Sequence, residues 1–171
     1  GKIEEFQELK RIIADYPIPI IPMLGNHDRR EAFLTVFDEA QLSSSGHVQS
    51  VLDIGNVLLI TLDSLDGPPF VDGHHSGRLC DDRLAFLQVA LEQREDRFAI
   101  VCVHHPPFDT GIVGMDRIKM TDGDRFLGIL AQYQNLHLMC GHVHRTISGT
   151  SKGVAWTVLK SPCHQGVLEL V

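Results

Sequence analysis

The sequence predicts an α/β fold, and three features indicate it. Short apolar runs alternate along the chain with stretches in which apolar residues recur every three or four positions, as strands alternating with helices do. Histidine-bearing motifs directly follow three of the apolar runs, at residues 25–28, 104–107 and 141–144. A length of 171 residues, 43% of them hydrophobic, suits one domain with one core. The motifs therefore fall where α/β proteins place their sites, beyond the carboxyl ends of the strands.

In the first half of the chain, proline and glycine set the element boundaries. The first apolar residues form one helical stripe, which must end before Pro17. The next apolar run is too short for a helix and contains Pro19 and Pro22, so it predicts a strand of irregular or edge character. Gly55-Asn56 between two apolar runs favours a hairpin turn. The predicted elements are helix 3–16, strand 18–24, helix 29–37, strand 48–54 and strand 57–63.

The second half contains two predicted loops. Residues 63–77 are rich in glycine, proline and histidine, which indicates a long loop of the kind that carries function. Residues 106–120 predict a second loop, after which Thr121 is a candidate N-cap with Asp122 and Asp124 in the first helical turn. The other predicted elements are helix 81–94, strand 98–103, helix 121–133, strand 136–140, strand 144–150 and strand 154–159.

The composition argues against several classes of partner. The formal net charge is −7, whereas nucleic-acid polymers and anionic membranes are bound by clustered lysine and arginine. No apolar stretch is long enough to span a bilayer, and no secretory signal pattern opens the chain. The four cysteines show no CxxC spacing, and Cys102 and Cys140 lie within apolar runs, which favours free thiols in a reducing compartment. We therefore expect a cytoplasmic protein.

The three motifs contain side chains that suit a metal site. Neutral imidazole binds zinc, iron, manganese or cobalt, and histidines spaced i and i+2 on an extended segment face the same side. His142 and His144 could therefore share a site, although two surface histidines on a hairpin would give the same pattern. Asn26 offers one carbonyl oxygen, yet an asparagine at a strand end is commonly a turn former. Because successive strand residues face opposite ways, at most one of His104 and His105 should point into the site.

Together and in this order, GNHD at 25–28, VCVH at 101–104 and GHVH at 141–144 resemble signatures of the calcineurin-like metallophosphoesterases. Within that superfamily, HHPP at 104–107 and GHHSG at 73–77 resemble the bacterial class III cyclic-nucleotide phosphodiesterase and glycerophosphodiesterase branch. The resemblance extends from the first helix to Gln165. It implies a four-layer α-β-β-α sandwich with mixed sheets, of which this chain forms an incomplete part.

The resemblance also implies a role for each motif residue. Asn26, His104 and His142 would bind one metal ion, and His144 would bind the other. His27 would be the catalytic histidine that contacts the phosphate and assists the leaving oxygen. Further histidines match positions that this branch brings toward the substrate. These candidates for substrate binding are His74, His75 and His164.

Two signatures of the resemblance are missing from this chain. Family members open with an Asp-x-His motif and a Gly-Asp-x-x-Asp motif, which supply two further ligands and a carboxylate that bridges the metals. Neither motif occurs here, so the resemblance implies that residues 1–171 are a single metallophosphoesterase domain truncated at its amino terminus and also at its carboxyl terminus. The intact family site would hold two divalent ions, Mn, Fe, Zn or Co, and this chain one or none. Sheet edges exposed by the truncation would favour association into a homodimer.

The resulting hypothesis is hydrolysis of a small phosphodiester, of the cyclic-nucleotide or glycerophosphodiester type, by in-line attack of a metal-bound hydroxide. This chain by itself is expected to be weakly active or inactive. Two alternatives remain open. One is a catalytically degenerate fold that binds a partner without turnover, and the other is a structural zinc-binding domain, whose site would be closed and tetrahedral.

Overall fold

Six strands form one mixed sheet in the order β1-β2-β3-β4-β6-β5. The computed structural model describes residues 1–71 and 73–165, so Asp72 of the predicted 63–77 loop and residues 166–171 of the predicted domain lie outside the described residues. The strands are β1 (Ser50–Ile54), β2 (Val57–Leu62), β3 (Phe98–Val103), β4 (Leu136–Cys140), β5 (Ile147–Ser151) and β6 (Val154–Val158). The helices are α1 (Ile3–Ile13), α2 (Arg30–Val36), α3 (Asp81–Gln93), α4 (Val113–Asp116) and α5 (Gly123–Leu130).

The centre of the sheet is parallel, because β2, β3, β4 and β6 pair side by side in one direction. Parallel strands that are covered on both faces consist of nearly continuous apolar residues, and Val101 and Leu138 are fully buried here. Leu62 pairs with Val103, and Val103 pairs with Cys140. The residues that follow β2, β3 and β4 therefore emerge side by side at one edge of the sheet.

Two groups of buried side chains stabilise the fold. The larger group joins the sheet to α3 and α5. In the smaller group, the Phe33 ring stacks on Phe37 with centroids 4.8 Å apart and meets Phe6 edge-on at 5.4 Å. Such aromatic pairs add about 1 kcal/mol each beyond the burial of their surface. This second group holds α1 against α2, and only the N-cap residue Arg29 separates α2 from the 25–28 motif. Among the described residues, no helix has the length and apolar character needed to cross a membrane.

The α/β class and the mixed sheet are confirmed, and β3 and β4 have the predicted bounds. The hairpin of β1 and β2 is also confirmed, with Gly55 in the left-handed region at a φ of 65°. The described residues form one sheet rather than the two that a four-layer sandwich requires. The free thiols are confirmed as well, since all four cysteines are unpaired.

The predicted strand 18–24 is wrong. In the part of the chain that the structure describes, this segment has no ladder partner, and Ile18 is 63% exposed. A strand needs a neighbour to pair with, and Pro19 and Pro22 each remove a backbone donor. The predicted irregular or edge strand is therefore absent from the described residues, and Ile18, Ile20 and Ile21 lie on the surface, whereas Leu24 is buried.

Other boundaries also differ from the prediction, most of them by one to three residues. The strand predicted to begin at 144 begins at Ile147, because the chain bends through residues 142–145. The helix predicted from Thr121 has Asp122 as its N-cap residue and ends at Leu130. The predicted 106–120 loop contains the single helical turn α4. Apart from α4, these differences lie at element ends, where local hydrogen bonding rather than apolar periodicity decides the boundary.

A buried ion pair fixes the 25–28 motif to the end of β2. The Asp63 carboxylate is fully buried and accepts hydrogen bonds from Arg30 Nε at 2.6 Å and Arg30 Nη2 at 3.0 Å. The backbone N–H groups of Val48 and Leu65 donate to the same carboxylate, each at 3.1 Å. Arg30 also donates to the carbonyls of Leu65 and Gly67. The first residue of α2 is thereby tied to the loop that follows β2.

Candidate metal centre

Three donor atoms from separate parts of the chain converge at the carboxyl edge of the sheet. Asn26 Oδ1 lies 3.0 Å from His104 Nε2 and 3.3 Å from His142 Nδ1. The rings of the two histidines have centroids 5.2 Å apart. The Gly141 N–H donates to the His104 carbonyl at 3.0 Å, which keeps the chain segments after β3 and β4 adjacent. The fold therefore brings together the three residues for which the sequence resemblance implied one metal ion.

Glycine lets the chain pass close to the His104 ring. A Cβ on Gly25 would lie 2.8 Å from His104 Cε1, and a Cβ on Gly141 would lie 3.3 Å from His104 Nδ1. The first distance is shorter than real Cβ contacts allow, so an alanine would displace the imidazole. Gly25 therefore determines where His104 Nε2 can point.

We expect Gly25→Ala to weaken divalent-metal binding roughly tenfold or more, because the His104 ring must move away from Asn26. Isothermal titration calorimetry with MnCl₂ measures the affinity, and circular dichroism checks the fold. Gly128→Ala is the matched control, since a Cβ there meets nothing within 4 Å. Equal manganese affinity in the Gly25→Ala variant and the unchanged chain would contradict this role of Gly25.

The hydrogen bonds of His142 leave a lone pair facing Asn26. His142 Nε2 lies 3.1 Å from the Ile118 carbonyl oxygen, so Nε2 carries the proton and donates it. In the neutral ring, Nδ1 is then an acceptor, and it faces a second acceptor, Asn26 Oδ1, at 3.3 Å. Two acceptors in contact repel each other unless a cation lies between them. Imidazole nitrogen and amide oxygen together suit a divalent metal ion, so the residues present fit such an ion.

His105 supports the fold rather than the site. Its Nδ1 lies 2.8 Å from Ser64 Oγ, and its Nε2 lies 3.1 Å from the His75 carbonyl oxygen. Its ring belongs to the same cluster of histidine nitrogens as His104 and His142, all within 4.8 Å of one another. Because both of its nitrogens are bonded to protein groups, His105 has no lone pair left for a metal. It instead holds the 63–77 loop against the end of β3.

Burial keeps these imidazoles neutral. It lowers the pKa of His104 to about 3, that of His142 to about 4 and that of His105 to about 2. Neighbouring histidines lower the pKa values of His104 and His105 further, because positive charges on adjacent rings would repel each other. Neutral imidazole is the form that binds metals, so protons compete little for these nitrogens near neutral pH.

His144 is close to the cluster, but the chain geometry differs from the expectation. His142 and His144 both have positive φ, at 70° and 57°, so the segment is bent and the argument from an extended i, i+2 spacing is wrong. His144 is partly exposed, and its Nδ1 lies 2.9 Å from His164 Nε2. The structure thus brings together the histidine expected at the second metal and one of the histidines expected at the substrate.

The three other candidate histidines line a cavity of about 210 Å³ beside Asn26. The rings of His27 and His75 have centroids 5.3 Å apart. His75 Nδ1 accepts from Asn26 Nδ2 at 3.2 Å, and His74 Nε2 lies 3.0 Å from Asp66 Oδ2. His27 and His75 therefore lie next to the converging donors, whereas His74 is paired with a carboxylate on the same loop.

The ligand-type cluster that the described residues form contains no carboxylate. Asp28 is near in sequence, but its Oδ2 accepts from the Gly25 N–H at 2.7 Å, and burial raises its pKa. Asp63 is engaged by Arg30. The donors gathered at this edge are therefore electrically neutral, and an ion bound by them alone would keep its full charge.

Sequence reasoning missed two groups that support the site. Ser64 is the second residue after β2, as His105 is the second residue after β3, so its position after a strand was a usable signal. Ile118 contributes only its carbonyl oxygen, and no side-chain pattern marks such a role.

Comparison with known protein families agrees with this geometry. The family model described as calcineurin-like phosphoesterase matches residues 1–146, a segment that includes Asn26, His104, His142 and His144. The chain belongs to this family.

Several curated phosphodiesterases resemble most or all of the chain. A probable cyclic nucleotide phosphodiesterase of Rhodopseudomonas palustris is 37% identical over 100% of this chain and 62% of its own length. A probable glycerophosphodiester phosphodiesterase of Arcobacter nitrofigilis is 30% identical over 99% of this chain and 62% of its own length. A 3′,5′-cyclic adenosine monophosphate phosphodiesterase of Pseudomonas aeruginosa is 30% identical over 85% of this chain and 50% of its own length. The chain thus spans less than two thirds of each of these relatives.

A solved structure with a similar arrangement of helices and strands supports the fold. A dimetal phosphatase from Danio rerio superimposes with a TM-score of 0.65 and 15% identity, over 81% of this chain and 59% of the other. At that identity the likeness concerns the arrangement of helices and strands. The mixed α/β architecture of the calcineurin-like phosphoesterases is therefore present in this chain.

Proposed function

We propose that the protein hydrolyses small phosphodiesters with divalent metal ions, one held by Asn26, His104 and His142 and a second by His144. The observation that carries this proposal is the convergence of Asn26 Oδ1 on His104 Nε2 and His142 Nδ1, at 3.0 and 3.3 Å. Membership of the calcineurin-like phosphoesterase family supports the same reaction class. We further propose manganese, iron, zinc or cobalt, the metals that nitrogen and oxygen donors of this type accept.

When bound, the metal ions supply Lewis acidity, which activates water and stabilises charge on the phosphate oxygens. A two-metal site also needs carboxylate ligands, and the cluster described here has none. We therefore propose that residues 1–171 alone hold one ion or none and are weakly active or inactive. The two carboxylate motifs of the family would complete the site in the active protein.

His27 is proposed to act as the general acid. It is exposed beside the 210 Å³ cavity, where it can donate a proton to the leaving oxygen of a bound phosphodiester. Arg29 lines the same cavity with its guanidinium 4.2 Å from the centroid of the Phe70 ring, and its charge would attract the phosphodiester anion. The histidines proposed to contact the substrate are His74, His75 and His164.

We propose a cyclic nucleotide or a glycerophosphodiester as the substrate, because the curated relatives are named for these two activities. The four free thiols support a cytoplasmic setting. Ile18, Ile20 and Ile21, which are 63%, 40% and 41% exposed, support a homodimer, since association would remove this apolar surface from water.

Each of the two alternative functions predicts a site that differs from the observed geometry. A structural zinc site would be closed on all sides, whereas Asn26 borders an open cavity. A binding module without turnover would not require a neutral histidine cluster aimed at one asparagine oxygen. The geometry therefore favours catalysis over both alternatives.

Metal titration and a diesterase assay test the proposal together. We expect the unchanged chain to bind manganese and His142→Ala to bind it at least roughly a hundredfold more weakly, because one of three donors is removed. Hydrolysis of bis(p-nitrophenyl) phosphate is then measured for this chain and for a version with the two family carboxylate motifs placed ahead of residue 1. That longer version should turn over the diester with manganese, and its His142→Ala variant should not.

Two outcomes would contradict the proposal. The first is unchanged manganese affinity after His142→Ala, with His137→Ala as the control for loss of an imidazole outside the cluster. The second is metal binding without turnover in the version that carries the carboxylate motifs, which would instead support a structural ion or a binding module.

A further inference from the structure

A second cavity, of about 380 Å³, adjoins the 63–77 loop and is distinct from the cavity lined by His27, His74 and His75. Three arginines, Arg30, Arg78 and Arg83, line it together with Cys80 and His47. Asp66 borders both this cavity and the histidine-lined one, so the loop forms a wall between them. Nothing in the proposed phosphodiesterase reaction uses these arginines.

Arg83 is a buried cation without a carboxylate partner in the described part of the chain. It is only 4% exposed, and its Nη1 donates to the carbonyls of Asp63 at 2.7 Å and Leu65 at 3.1 Å. Its Nε donates to Cys80 Sγ at 3.4 Å, and its Nη2 makes no hydrogen bond to any described residue. A desolvated guanidinium is costly unless an anion balances its charge. Arg83 therefore has both an unused donor and an unbalanced charge at the wall of a cavity.

The neighbouring arginines differ in how their charges are balanced. Arg30 is neutralised by Asp63, and its three side-chain nitrogens all donate. Arg78 is exposed, and its guanidinium forms no ion pair within residues 1–71 and 73–165. Two guanidiniums, of Arg78 and Arg83, thus face one space without an ion-pair partner among the described residues.

The acidic groups near the cavity leave a net positive charge in place. Asp66 lines the cavity and is bonded to His74 at 3.0 Å, and its one carboxylate balances at most one of the two guanidinium charges. Asp81, at the start of α3, pairs with Arg125, and Asp82 lines a different cavity. The pKa of His47 is lowered, first by burial and then by the charge of Arg83, which agrees with a positive field inside the cavity.

We infer that this cavity binds a small phosphate dianion, either inorganic phosphate or a phosphomonoester, between the guanidiniums of Arg78 and Arg83. The planar guanidinium presents paired N–H donors that match two phosphate oxygens. Phosphate would satisfy the free Nη2 of Arg83 and balance its charge. The inference is independent of the metal centre, because none of the cavity's arginines contacts Asn26, His104 or His142.

Calorimetric titration of the chain in EDTA with inorganic phosphate tests the inference. We expect saturable binding, and we expect Arg78→Gln to weaken it roughly tenfold, because one charge-assisted pair of hydrogen bonds is lost. Arg11→Gln is the matched control, since Arg11 is an exposed arginine that pairs with Glu8 on α1, away from this cavity. A parallel titration with adenosine 5′-monophosphate distinguishes the two sources of the anion. Tighter binding than phosphate indicates a phosphomonoester site, and weaker binding indicates a site for free phosphate.

Alkylation of Cys80 by iodoacetamide gives a second readout that does not depend on a substitution. Bound phosphate should slow modification of Cys80 several-fold by occupying the space beside it, while exposed Cys163 should react at an unchanged rate. The inference is overturned if phosphate leaves the Cys80 rate unchanged, or if Arg78→Gln binds phosphate as tightly as the unchanged chain. Loss of phosphate binding in His27→Ala but not in Arg78→Gln would place the anion in the histidine-lined cavity and would also overturn it.

Discussion

Between pH 7 and pH 5 we expect the metal-free protein to lose on the order of 5 kcal/mol of its free energy of unfolding. Burial lowers the pKa of His104 to about 3, of His105 to about 2 and of His142 to about 4. In the unfolded chain the same side chains titrate near pH 6.5. As the pH falls below about 6.5, the unfolded state therefore takes up protons that the folded state does not.

The loss of folding stability at low pH follows from this difference in proton binding. The stability contributed by the neutral imidazoles is fully present above about pH 6.5 and is lost progressively toward the folded-state pKa values of about 2 to 4. Each histidine contributes up to about 1.4 kcal/mol per pH unit in that window. Urea unfolding in EDTA at half-unit pH steps measures the slope.

A variant separates this effect from general acid sensitivity. His104→Asn should flatten the slope by about one third, because one of the three imidazoles with a lowered pKa is gone, whereas Gly128→Ala should leave the slope as it is, since it removes no titratable group. A free energy of unfolding that stays constant from pH 7 to pH 5 would contradict the burial of neutral imidazoles. Equal slopes in the two variants would also contradict it.

Asp63→Ala is expected to cost about 3–5 kcal/mol of folding stability, the typical effect of removing one partner of a buried ion pair. The substitution leaves the Arg30 guanidinium, itself 9% exposed, without its carboxylate. It also removes the acceptor of the Val48 and Leu65 N–H groups, which become unpaired. Urea unfolding at pH 7.5 measures the loss.

The chain offers a surface pair of the same type as a control. Asp53 pairs with Arg97, and its side chain is 67% exposed, so Asp53→Ala should cost less than about 1 kcal/mol. Equal losses in the two variants would show that burial does not determine the contribution of Asp63. Because only Arg29 separates Arg30 from the 25–28 motif, we also expect Asp63→Ala to weaken manganese binding, which the same calorimetric titration can detect.

Much of the fold follows from local patterns in the sequence. Strand β3 is fully apolar, β4 is apolar except for His137, and each is followed by a polar motif, so their bounds could be predicted to the residue. The parallel order that places His104 beside Gly141 is likewise a consequence of strands separated by helices. The segment 18–24 was mispredicted, because composition shows that a segment is apolar but does not show whether a neighbouring strand exists.

The candidate site was predictable as a set of residues but not as a geometry. The order of the three motifs is enough to group Asn26 with His104 and His142. It does not reveal that His105 is bonded at both ring nitrogens, since Ser64 and the His75 carbonyl come from a distant loop. The Arg30–Asp63 pair is also invisible in the sequence, because it joins residues 33 positions apart whose side chains have no characteristic spacing.

The left-handed backbone of His142 and His144 has a consequence for the directed evolution of this protein. Positive φ costs histidine on the order of 1 kcal/mol, whereas glycine adopts such a backbone freely and asparagine does so more readily than histidine. A library selected only for heat resistance should therefore enrich glycine or asparagine at these two positions. The selected variants would be more heat-stable but would lack the histidine donors for metal. Selection for thermal stability must therefore be combined with a screen for metal binding.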